Sequence, residues 1–155
     1  MTTAAHVSSA TDQLAVTDAL YRFATGIDLK DRDLLASSLA EDAVSDFRAA
    51  AAKAGFEYPV LEGRDTIVSA LSTSLTSLDT THSVSNPRVT IDADTARLEA
   101  MVEAQHVPKN NASMHYLMKN RYDVQLIRQG DAWVIKHVAI DNVWRDGDPA
   151  VLAGV

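Results

Sequence analysis

The 155-residue chain reads as a single α+β domain, three helices followed by an antiparallel sheet. Apolar residues recur every three or four positions through the first half, and alternate one by one through the second. Turn chemistry at hairpin distance, Asp92-Ala93-Asp94 and Gln129-Gly130-Asp131, makes the strands neighbours in chain order.

Each element follows from its pattern. Val16, Leu20, Phe23 and Ile27 form one stripe of a helix from Thr11 to Asp28, with Ser9 or Thr11 to cap it and Gly26 loosening its last turn. Residues 1–9 lack the basic and apolar regions of a signal peptide and are expected to be a short frayed leader. A second short helix covers Asp31 to Leu39, and Asp42 to Phe47 reads as a short strand. Arg48 to Gly55 is alanine-rich, a helical turn or loop. Leu61-Glu62-Gly63-Arg64-Asp65 opens the third helix, which carries Ile67, Val68, Leu71 and Leu75. Four alternating stretches follow: Thr81 to Ile91, Thr95 to Val107, Met114 to Arg128 and Trp133 to Trp144.

Composition narrows the chemistry. With no cysteine there is no disulfide, thiolate metal site or thiol nucleophile, and a reducing, cytoplasmic setting is expected. A net charge of −7 argues against binding a phosphate backbone. No apolar run is long enough for a membrane helix. The five histidines His6, His82, His106, His115 and His137 show no ligand spacing, so no metal is expected. Without a Gly-x-Gly-x-x-Gly, phosphate loop or Gly-x-Ser-x-Gly elbow, no cofactor is expected either.

Strand alternation predicts which side chains meet the helices. Ala96, Leu98, Ala100, Val102, Ala104 and His106 face inward, as do Met114, Tyr116, Met118, Asn120, Tyr122, Val124 and Leu126. On the last strand Val134, Val138, Ile140, Asn142 and Trp144 read as inward. A few polar groups (His106, Tyr116, Asn120, Asn142) among apolar ones, with small Ala100 and Ala104 leaving room, describe a small-molecule pocket. Its predicted lining is Tyr21, Phe23, Val102, His106, Tyr116, Met118, Asn120, Ile140, Asn142 and Trp144. Asp28 shares a helix face with Tyr21 and Ala24, and His82 opens the first long strand. A carboxylate beside an imidazole would make a general base. Spacing alone leaves Asp28 equally a helix-end residue and His82 an edge residue.

Gly26-Ile27-Asp28-x-Lys30-Asp31, Leu61-Glu62-Gly63-Arg64-Asp65, Thr81-His82 and Gly130-Asp131-Ala132-Trp133-Val134-Ile135 together resemble the SnoaL-like branch of the nuclear transport factor 2-like superfamily, over about residues 10–148. That resemblance implies a cone-shaped fold with a pocket between helices and sheet. The regions of Asp28 and His82 are similar to the Asp–His dyads of scytalone dehydratase and hexachlorocyclohexane dehydrochlorinase. It implies that Asp28 orients His82 and that His82 removes a proton next to a leaving group. A tyrosine beside the dyad would be Tyr21, Tyr116 or Tyr58, and His106 lies near a second histidine of scytalone dehydratase. The expected activity is cofactor-independent elimination, isomerisation or cyclisation of an apolar cyclic molecule; the alternative is a ligand-binding or assembly domain without chemistry.

The outer sheet face carries Glu103, Lys119, Arg121, His137 and Asp141 among Met101, Leu117, Ile135 and Ala139. It reads either as a solvated, cross-paired surface or as the interface of a homodimer, which the superfamily resemblance favours.

Overall fold

A computed structural model describes the backbone of residues 2–153 and the side chains of residues 10–153. The elements are α1 (Thr2–Asp28), α2 (Arg32–Ser37), β1 (Leu39–Asp46), α3 (Arg48–Ala54), β2 (Leu61–Glu62), α4 (Arg64–Ser74), β3 (Leu78–Asp92), β4 (Thr95–Pro108), β5 (Tyr116–Gln129) and β6 (Ala132–Gly147). A short 3₁₀ turn, Pro149–Leu152, follows β6. The expected leader is instead the first turns of α1. No glycine or proline interrupts residues 2–9, and Ala4 and Ala5 favour helix.

One mixed sheet of six strands runs in the order β2-β1-β6-β5-β4-β3. The meander β3 to β6 is antiparallel as expected, and β1 adds to it parallel to β6, with β2 antiparallel at the far edge. Helix α1 lies along β3 and against α2. Two carboxylates fix it to the sheet, one near each end. Asp12 accepts from both Nη atoms of Arg128 on β5 (3.0 and 2.8 Å) and from Trp133 Nε1 on β6 (3.3 Å). At the other end Asp28 takes hydrogen bonds from β3. Between these anchors Val16, Leu20, Phe23 and Ile27 bury the predicted stripe in the same core cluster as Leu98, Val124, Leu126 and Ile135.

The structure corrects three orientations on β6, those of Val134, Ile135 and Trp144, and the cause is the same. Val134 pairs with Ile127 and leaves the inward set. Gln125 pairs with His137 but Leu126 with Ile135, so Lys136 is an extra residue; Lys119 pairs with Trp144 but Asn120 with Asn142, so Val143 is another. Each bulge reverses the parity beyond it. Ile135 therefore turns inward and is fully buried, leaving the outer-face set. Trp144 turns outward, is 50% exposed, and stacks under the Lys119 ammonium. Between the bulges Val138, Ile140 and Asn142 keep the predicted inward face.

Gly26 does more than loosen a turn. A Cβ there would stand 2.6 Å from the Leu35 backbone nitrogen and 2.9 Å from its Cβ. The absence of a side chain lets α1 and α2 touch, two residues before Asp28. Gly26→Ala should destabilise the fold by about 1–3 kcal/mol. In urea denaturation it is expected to lower the midpoint at unchanged slope; an unaltered midpoint would mean the helices part freely.

Candidate active site

Under α1 and α4 the concave sheet face holds a cavity of about 90 Å³. That is room for six to nine waters at roughly 10–15 Å³ each, or one compact molecule of one or two rings. Phe23 and Ile27 come from α1, and Leu71 and Leu75 from the end of α4. Ser45 and Phe47, with Phe56, Tyr58 and Leu61, form the wall beyond β1. His82, His106, Tyr122 and Ile140 rise from the sheet, and Leu152 closes one side. Phe47 meets Tyr58 edge-to-face at 5.7 Å. No lining side chain bears a formal charge other than through its imidazoles.

His82 stands on the edge strand β3, its Nδ1 2.6 Å from Asp28 Oδ1. The His82 backbone N–H donates to Asp28 Oδ2 at 2.7 Å, and Thr80 Oγ1 donates to Oδ1 at 2.9 Å. Burial opposes ionisation of Asp28, but these bonds and the His82 charge outweigh it and hold the carboxyl below its ordinary value. An ionised Asp28 only accepts, so neutral His82 carries its proton on Nδ1 and Nε2 keeps the lone pair.

His106, on β4, lies beside it with ring centroids 6.2 Å apart and planes near perpendicular. Its Nδ1 is 2.9 Å from the Tyr116 carbonyl, which can only accept, so Nδ1 bears the proton here too. Burial pushes the His106 imidazole down to about 4, with His82 adding to the effect against the Tyr116 bond. His106 is therefore neutral at pH 7. Tyr122 is pushed the other way, up, by burial and then by the Asp28 charge, so it stays a hydroxyl.

The sequence profile of the SnoaL-like domain matches residues 8–139. The chain belongs to the SnoaL-like family. Terrestric acid biosynthesis cluster protein E of Penicillium crustosum is similar at 33% identity over 147 residues, 90% of this chain and 88% of that one. Among solved structures, the Kfla4162 protein of Kribbella flavida superposes with a TM-score of 0.82 at 22% identity, covering 94% of this chain and 99% of that chain. Hexachlorocyclohexane dehydrochlorinase LinA-type3 of Novosphingobium barchaimii LL02 gives 0.75 at 16% identity, covering 92% and 93%. At these identities the two structures speak for the fold.

In this SnoaL-like protein the structure brings Asp28 and His82 together, and with His82 it sets the predicted Phe23, His106 and Ile140 on the cavity wall. The other predicted lining residues stand elsewhere. Tyr21 is 43% exposed: it lies on the Asp28 flank of α1, but two turns back that flank faces solvent. Trp144 points outward because of the Val143 bulge. Tyr116 and Met118 are inward yet sealed, since the 3₁₀ turn packs over β4 and β5 at that end. Asn120 and Asn142 meet each other in the core, Asn142 Nδ2 donating to Asn120 Oδ1 at 3.0 Å and to the Trp144 carbonyl at 3.1 Å, while Asn142 Oδ1 finds no partner among the described residues. Val102 is simply core.

Sequence reasoning passed over Thr80, Ser45, Phe47, Phe56 and Leu152, and put Tyr122 on the right face without giving it a role. The one signal for the aromatic wall is that two of the three phenylalanines lie between 47 and 56. Among the described residues no group of three His, Asp or Glu side chains is arranged to hold a metal. No described helix is long and apolar enough to cross a membrane.

The depressed His106 pKa makes stability acid-sensitive. The unfolded chain takes up a proton on this residue near pH 6.5, the folded protein only near 4. Between those values acid favours unfolding, and above them the contribution is complete. From pH 7 to pH 4.5 the wild-type protein should lose roughly 2–3 kcal/mol more than a His106→Gln variant. Parallel stability curves for the two over that range would show that His106 is not buried in neutral form.

Proposed function

We propose that this SnoaL-like protein is a cofactor-independent lyase or isomerase acting on a neutral, apolar cyclic molecule, with His82 as base and Asp28 as its orienter. The observation that carries the reading is the 2.6 Å contact of His82 Nδ1 with Asp28 at the edge of an apolar cavity. Asp28 holds the ring in one orientation and one tautomer, and stabilises the imidazolium that forms when Nε2 takes a proton. The apolar walls keep that exchange out of bulk water, and in the lower dielectric of the cavity the charge pair is worth more.

In an elimination, Nε2 takes the proton from a carbon. The C–H pair becomes the new double bond, and the leaving group departs with its own bonding pair. When the leaving group is hydroxide, the imidazolium returns the proton to it and water is released, restoring the enzyme. The name of one structural relative, a dehydrochlorinase, denotes an elimination, and that of the 33%-identical relative places it in a biosynthetic cluster. Both support this class of chemistry.

A direct assay uses 3-hydroxy-1-tetralone, whose loss of water gives 1-naphthol, followed by fluorescence. His82→Ala is expected to lower kcat by about 10²–10⁴ while leaving ligand affinity within a few-fold. Asp28→Asn should lower kcat by a similar order, since it removes the charge that steadies the imidazolium. Full turnover in His82→Ala would rule out the base assignment. Binding without turnover in the wild-type protein, across related β-hydroxy ketones, would favour a non-catalytic binding domain.

A further inference from the structure

The wall of the cavity is not equally thick all round. Phe23 and Ile27 are carried by α1 and Leu75 by the end of α4, and all three are buried. Beyond β1 the wall changes character. Phe56 and Tyr58 are only half-buried, and the same two rings border shallow grooves on the outer surface. One groove runs beside Arg48 and Ala52, the other beside Pro149 and Ala150. Leu152 likewise has the cavity on one side and the second groove on the other. Here a single layer of side chains separates the cavity from water.

The backbone behind those rings is also the least fastened part of the wall. Glu57–Val60 lies between α3 and β2 and forms no backbone hydrogen bond with any described residue. Its flanks are held. Phe56 N–H donates to the Ala51 carbonyl at 3.1 Å, and Leu61 pairs with Ser45. The facing 3₁₀ turn is held too, since Asp148 N–H donates to the His115 carbonyl at 2.9 Å. A stretch secured by side-chain contacts alone opens at lower cost than the elements around it. Gly55 supplies a hinge: its φ is +93°, and a Cβ there would meet nothing within 4 Å. Pro59 fixes its own φ and keeps Tyr58 extended, which stiffens the piece between. Phe47, on which Tyr58 and Phe56 rest at 5.7 and 6.4 Å between centroids, belongs to the head of α3 and stays behind.

We propose that Glu57–Val60 is the door of the cavity, a strap that swings outward about Gly55, lifts Phe56 and Tyr58 off Phe47 and opens a passage beside Leu152. The passage serves any occupant of the cavity, so it stands apart from the chemistry assigned to His82. Leu71 is the half-buried aliphatic residue of the wall, but its backbone lies within α4. It is the natural control.

Because the chain has no cysteine, one introduced thiol reports on the cavity without background. Ser45→Cys is nearly isosteric and puts that thiol on the buried β1 wall. Methyl methanethiosulfonate, small and uncharged, converts it to a methyl disulfide and releases methanesulfinate, and the extent is read by mass. The rate is expected to lie well below that of the exposed Ala52→Cys, and to be independent of urea below the unfolding transition. Added to Ser45→Cys, Tyr58→Ala should speed labelling about tenfold, by removing a ring of the wall. Pro59→Gly should speed it about threefold, by loosening the strap, and Leu71→Ala should change it by less than about twofold. Leu75→Cys, a thiol on the α4 wall, repeats the series if Ser45→Cys fails to fold. Labelling as fast as at Ala52→Cys would mean that the cavity has no door. Labelling that tracks global unfolding would mean that the strap stays shut, and equal acceleration by Leu71→Ala and Tyr58→Ala would put the opening elsewhere. Each of these overturns the proposal, as does a rate that Tyr58→Ala and Pro59→Gly leave unchanged.

Discussion

The carboxylate of Asp28 is the constraint on which the site depends. It closes the last turn of α1 and receives three donors from two residues of β3, the Thr80 hydroxyl, the His82 backbone and the His82 ring. An edge strand has a row of unpaired backbone groups, and one of these is satisfied here by a helix-borne side chain. The same contact therefore joins helix to sheet and sets the ring of His82. A change that moves the end of α1 moves the imidazole with it. That is why the close approach of α1 and α2 at Gly26 bears on the site.

Histidine pairs are usually a problem for a buried site, because two imidazolium ions repel each other. Here the second ring escapes by losing its charge. His106 is buried beside the Tyr116 carbonyl and stays neutral, so it sets no second imidazolium beside His82. The carboxylate lies on the other side of His82, with its charge retained. One imidazole is thus tied to a carboxylate and the other to a carbonyl, although the two differ by nothing that composition records.

Much of the fold was legible, and the failures have physical causes. The 3.6-residue and two-residue periods hold wherever an element is unbroken, which is why the stripe of α1 and the inward faces of β4 and β5 could be read directly. Alternation gives a face but not a depth, so Tyr116, Met118 and Val102 were placed correctly by side and wrongly by exposure to the cavity. Trp144 and Ile135 failed because bulges at Lys136 and Val143 leave no trace in composition. The parallel pairing of β1 with β6 joins segments far apart in the chain, and no local pattern announces it. Asp28 and His82 could be singled out only through family resemblance, since nothing in the chain between two residues 54 positions apart tells that a helix end meets a strand start.

The two bulges in β6 also divide that strand into three segments whose registers are set independently. Val138, Ile140 and Asn142 serve the interior between them, while the segment beyond Val143 presents Trp144 to the exterior. A lineage can therefore lengthen, shorten or recolour the outer end of β6 without rotating Ile140 out of the cavity wall. Such a strand lets the surface drift while the interior is inherited, which is one route by which a single scaffold comes to serve many ligands.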